Sequence, residues 1–108
     1  MATVQNITID QGTTFSLTIN LTNDDGTEKD LSSYTVSAQM RKSYYTSTYT
    51  AFTTAKVDNE GELTISLTAA QTSDIKAGRY VYDIEIESSA ETLRILEGIV
   101  TVTPEVTK

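Results

Sequence analysis

Phe15, Leu17, Ile19 and Leu21 alternate with Ser16, Thr18, Asn20 and Thr22, and the same two-residue period returns where Tyr80, Tyr82, Ile84 and Ile86 interleave with Val81, Asp83 and Glu85. A strand turns successive side chains to opposite faces, so each run predicts a half-buried β-strand. Further extended segments are expected at Val4 to Ile9, at Val36, Ala38 and Met40, from Thr50 to Val57, and at Leu63, Ile65 and Leu67. Turn chemistry separates them: Gln11-Gly12, the cluster Asn23-Asp24-Asp25-Gly26, and Asp58-Asn59-Glu60-Gly61, the last joining two strands as a hairpin. The stretch from Thr27 to Ser33 reads as a polar connection.

In the last apolar segment Leu93 and Ile95 share one phase, while Leu96, Gly98, Val100 and Val102 share the other. A β-bulge between 95 and 96 restores inward pointing, and Pro104 ends the pairing. Thr68-Ala69-Ala70-Gln71 has the spacing of a capping box, which predicts one or two helical turns before Gly78. The resulting expectation is an all-β chain, an immunoglobulin-like antiparallel β-sandwich of about seven strands with one short helical turn, forming a single domain over residues 1–108. A small barrel is the rival architecture. A sandwich leaves sheet edges open, so pairing through an edge is a further expectation.

The chain has no cysteine and no histidine. Disulfides, thiolate metal sites and histidine-based acid–base chemistry are thereby excluded, and packing must supply the stability. Eight basic against fifteen acidic residues give a net charge of −7, which opposes attraction to nucleic acid or anionic membranes. The first ten residues lack a basic and apolar leader pattern, and nowhere do about 18 apolar residues run together. The expectation is a soluble chain made in a cytoplasm. Asp83 and Glu85 fall on the solvent face of a strand, and the acidic run Asp24 to Asp30 departs from the calcium-loop spacing, so turn chemistry explains it better. No catalytic residue, cofactor or metal ligand set is expected.

The candidate for function by contact is the run Ser43-Tyr44-Tyr45-Thr46-Ser47-Thr48-Tyr49-Thr50. Tyrosine interleaved with hydroxyl residues offers rigid, amphipathic contact area beside adaptable hydrogen bonding. Tyr44, Tyr45 and Tyr49 are therefore the candidate interface residues, and Phe52 is expected in the core.

Three stretches carry a family resemblance: Asp30-Leu31 before Tyr34-Thr35-Val36, the run Gly78 to Asp83, and Leu96-Glu97-Gly98 before Val100 to Pro104. With the sequence around them, covering nearly the whole chain, they resemble small structural proteins of tailed bacteriophages. In that group such β-sandwich domains stand alone or at the N-termini of baseplate and tail-fibre proteins. The resemblance implies a virion structural protein, not an enzyme, that binds other virion proteins and copies of itself on the tail or baseplate. A stand-alone subunit without a fibre shaft is the expectation, and a capsid decoration protein on the phage head is an alternative. A carbohydrate- or receptor-binding module, with the tyrosines stacked on a glycan, is a second alternative.

Overall fold

The computed structural model describes residues 3–23 and 25–106. Nine strands, one α-helix and one 3-10 turn follow among them in chain order: β1 Thr3–Val4, β2 Ile7–Asp10, β3 Phe15–Asn20, β4 Thr35–Arg41, β5 Thr50–Ala51, β6 Thr53–Val57, the 3-10 turn Asp58–Glu60, β7 Glu62–Leu67, α1 Ala69–Ser73, β8 Gly78–Glu87 and β9 Thr92–Thr103. They form two packed sheets, one in the order β1-β9-β8-β4-β5 with β2 also on β9, the other in the order β3-β7-β6. The expected all-β sandwich is the fold. Two details differ from the expectation. The strand count rises to nine because the first and fourth segments are each split in two, and β1 and β2 run parallel to β9 while every other pair is antiparallel.

The first split lies at Gln5 and Asn6, where the chain crosses Gly98. A Cβ on Gly98 would lie 2.3 Å from the Gln5 carbonyl oxygen, so only glycine lets the two backbones approach this closely. Asn6 Oδ1 accepts from the Ile99 amide at 3.1 Å, occupying a donor in β9 where the β1–β2 edge is interrupted. The second split lies at Phe52, where the chain leaves one sheet (β5 on β4) and joins the other (β6 on β7). Phe52 is buried, as the sequence predicted, and its ring lies 6.0 Å from Phe15 and 6.5 Å from Tyr82. That aromatic series runs from β3 on one sheet to β8 on the other.

The inner faces hold the residues that the two-residue period selects. Ile84 and Ile86 are fully buried, as are Leu63, Ile65 and Leu67 opposite them, and burying such side chains contributes about 1.5–3 kcal/mol each. The β-bulge is present: Ile84 faces Leu96 and Glu85 faces Arg94, which leaves Ile95 as the extra residue. The capping box forms as well, with Gln71 N donating to Thr68 Oγ1 and Thr68 N donating to Gln71 Oε1. The segment read as a polar connection contains a plug. Leu31 is fully buried against Leu63 and Ile86, and its backbone is tied to the Asp58 carbonyl at 2.9 Å and to Lys56 Nζ at 3.0 Å.

At the crossing from α1 into β8, the Tyr80 hydroxyl donates to the Lys76 carbonyl at 2.7 Å. A tyrosine near the start of this strand, tied back a few residues upstream, marks immunoglobulin-like sandwiches. Tyr82 stands two residues on, where antibody domains place a disulfide cysteine, and here an aromatic contact spans the sheets instead.

Candidate protein interface

Residues 42–49 connect β4 to β5, and their shape follows from a single turn and a single cation. Thr46 N donates to the Ser43 carbonyl at 3.3 Å, and the Ser43 and Thr46 hydroxyls meet at 2.8 Å, so Tyr44 and Tyr45 occupy the two corner positions of a β-turn. Corner side chains point away from the turn. Tyr44 is 74% exposed and Tyr45 97% exposed.

Arg41, the last residue of β4, supports this turn from beneath. Its Nη1 donates to the Thr46 carbonyl at 2.6 Å and to the Ser47 carbonyl at 3.4 Å, and its Nη2 donates to Gln39 Oε1 at 3.1 Å. The guanidinium also lies 5.0 Å from the centre of the Tyr49 ring, within cation–π range. A planar donor fork that binds two carbonyls and an aromatic face at once is a property of arginine that lysine lacks. The loop is therefore held by charge-assisted bonds although it has no regular structure.

The three tyrosines are brought to one loop, with Tyr44 and Tyr49 bordering different hollows that share Arg41. Tyr44 borders a shallow groove of about 320 Å³ on the outer face of the larger sheet, together with Gln39, Arg41, Val81, Asp83, Arg94 and others. Tyr49 borders a different hollow with Lys42 and Tyr80, where the Lys42 ammonium sits 4.9 Å from the Tyr80 ring. Tyr45 lines neither and stands in solvent. Among the described residues the aromatic ring pairs are Phe15–Phe52 and Phe52–Tyr82, so none of the three loop rings stacks on another.

The floor of the Tyr44 groove is charged. Asp83 and Glu97 are directly opposite each other on β8 and β9, an arrangement of like charges that costs energy unless a cation sits between them. Arg94 supplies the cation, with its guanidinium 3.4 Å from Asp83, 3.8 Å from Glu85 and 3.7 Å from Glu97. The bulge at Ile95 makes this possible, because in a regular strand residues 94 and 97 would point to opposite faces. Asp83 and Glu85 thus lie on the solvent side as predicted. Arg41 and Arg94, which organise the loop and the groove, were not singled out by sequence, since their roles depend on a turn and a bulge.

In the other acidic loop, Asp25 Oδ1 accepts from the Thr27 amide at 3.0 Å and the Thr27 hydroxyl at 2.6 Å. These bonds hold the Asp25 carboxyl below its ordinary value, led by the Thr27 hydroxyl. The turn chemistry expected there is what forms, and Asp24 lies outside the described residues.

No protein-family model and no curated protein matches the sequence. Among solved structures, the crystal structure of Listeria monocytogenes InlP is similar, with a TM-score of 0.52 and 16% identity over 94% of this chain. The chain spans only 28% of that protein chain, and the likeness is one of fold.

Proposed function

We propose that this chain is a virion structural protein of a tailed bacteriophage, a non-catalytic subunit that joins other virion proteins on the tail or baseplate. The observation that carries the reading is the turn at Ser43–Thr46, where two tyrosines project into solvent while Arg41 fixes the loop beneath them. A loop ordered before it meets a partner loses less entropy on binding, and tyrosine is enriched among the residues that dominate interfaces. The sequence resemblance supplies the phage context. The function is complementarity repeated through an assembly, with no turnover.

Sugar binding finds less support, because stacking on a glycan needs neighbouring rings presented as one platform. Tyr44 and Tyr49 border separate hollows.

Mass-spectrometric counting of the chain in purified particles tests the reading. Tens of copies per particle are expected for a tail or baseplate subunit; hundreds would move it to the head as a decoration protein, and absence from particles would refute a structural role. On isolated tails, replacing Tyr44 and Tyr45 with Ser should weaken binding by tenfold or more while the melting temperature holds.

A further inference from the structure

We infer that β3 is the pairing edge of a symmetric homodimer, in which a second copy of this chain adds its own β3 antiparallel across a two-fold axis through Thr18. The surface is separate from the tyrosine turn, and the inference stands whatever that turn binds.

The other edges of the sandwich are blunted. β5 has two residues, β1 and β2 are interrupted at Gln5–Asn6 and end on Asp10, and β6 carries Lys56, bonded to the Leu31 carbonyl and ion-paired with Asp58. Short, broken or charged edges resist pairing with another chain. β3 has none of these protections. From Phe15 to Leu21 there is no charge, no proline and no glycine, although the whole chain carries −7.

The backbone parity of this edge is fixed by two bonds. Leu21 N donates to the Gly61 carbonyl at 2.8 Å, and the Thr18 and Thr64 hydroxyls meet at 3.0 Å, as side chains do at the close, non-hydrogen-bonded positions of an antiparallel pair. Odd-numbered residues of β3 therefore bond to β7. The amides and carbonyls of Ser16, Thr18 and Asn20 point away from the sheet, and among the described residues no other segment bonds to them. The inner-face row is equally incomplete. Phe15, Leu17 and Ile19 are only half-buried, whereas Leu67, Ile65 and Leu63 beside them are closed to solvent.

A second copy matches this edge in one register. With Thr18 opposite Thr18 of the other copy, Ser16 faces Asn20, Leu17 faces Ile19 and Phe15 faces Leu21. Hydroxyl and amide side chains then meet on the outer face and apolar ones on the inner face. The outward groups of Ser16, Thr18 and Asn20 form about six backbone hydrogen bonds, and the two three-stranded sheets become one of six. The uncharged strip also lets two acidic molecules approach where neither carries charge.

Sedimentation equilibrium of the full chain from 1 to about 500 μM, with two variants, tests the inference. The wild type should pass with concentration from the 11.8 kDa chain mass to twice that value. Thr18→Lys places like charges opposite each other at the axis and should raise the dissociation constant at least tenfold, with the melting curve retained because the site is exposed. The chain has no cysteine, so Thr18→Cys has only its counterpart to oxidise with. At the expected Cα separation of about 5.5 Å it should form the disulfide dimer at least tenfold faster than Thr8→Cys on the β2 edge. A wild type that stays monomeric, a Thr18→Lys variant that associates unchanged, or preferential cross-linking through Thr8→Cys would each overturn it.

Discussion

The Tyr82 hydroxyl donates a 2.5 Å hydrogen bond to the Gln5 carbonyl, reaching from β8 past β9 to the chain beyond it. Tyr82 faces Gly98 in register, and the missing side chain at Gly98 leaves that path open. Burial pushes the Tyr82 phenol up to about 12 from its ordinary value of 10.0. An acid whose folded value is raised contributes stability that is fully present below the unfolded value and is lost as pH climbs to the folded one. Wild-type stability should therefore fall between pH 10 and pH 12, by about 2 kcal/mol at pH 11.5. Tyr82→Phe loses the bond, costing about 1 kcal/mol at pH 8, but it also loses the titration. Urea melts of the two proteins should cross near pH 11, and parallel curves over that range would contradict the assignment.

Gly98→Ala tests the same crossing from the other strand. The added methyl would enter the space of the Gln5 carbonyl, which is backbone and cannot rotate aside. Overpacking of this kind costs about 1–3 kcal/mol. Hydrogen exchange should localise the damage: amides at Gln5 and Ile7 should lose protection first, while those of β7 keep theirs.

Thr72 is the single fully buried polar side chain among the described residues. Its hydroxyl donates to the Thr13 carbonyl at 2.7 Å and accepts from the Gly12 amide at 3.0 Å, which clamps α1 to the turn after β2. Thr72→Val keeps the shape and removes both bonds, stranding two backbone groups. The expected cost is about 2 kcal/mol, read as a fall in melting temperature of about 8–16 °C. Thr13→Ala, which alters a side chain outside this clamp, should move the midpoint by only a few degrees.

These contacts separate what sequence discloses from what it hides. The alternation at Phe15–Leu21 and Tyr80–Ile86 was legible because a sheet face imposes a two-residue period, and the slip at Ile95 was legible as a break in it. Leu31 was not, since one leucine in a polar run has no period, and its burial follows from Leu63 of β7 and Ile86 of β8 closing on it. Asn6 and Thr72 look like ordinary polar residues. Each bonds a backbone amide 60 or more positions away, Ile99 for Asn6 and Gly12 for Thr72, and no local pattern records such a partner. The tyrosine run announced itself by composition, but the division of Tyr44 and Tyr49 between two hollows follows from where Arg41 sits.

Arg41 is where the order of that loop can be measured without any partner. Chymotrypsin cleaves after tyrosine, and Tyr44 and Tyr45 already stand in solvent, so what limits cutting is the backbone held by Arg41. Cleavage of a held segment follows the population of its open form. Arg41→Ala removes the bonds to the Thr46 and Ser47 carbonyls and the contact with Tyr49. Easing the local opening by about 1.4 kcal/mol makes cleavage tenfold faster. Arg41→Lys keeps the charge but not the planar fork, so its rate should fall between the two. Global melting should shift little in either variant, because Arg41 lies at the end of β4 outside the buried core. Equal cleavage rates in all three proteins would mean that the turn from Ser43 to Thr46 holds the loop unaided.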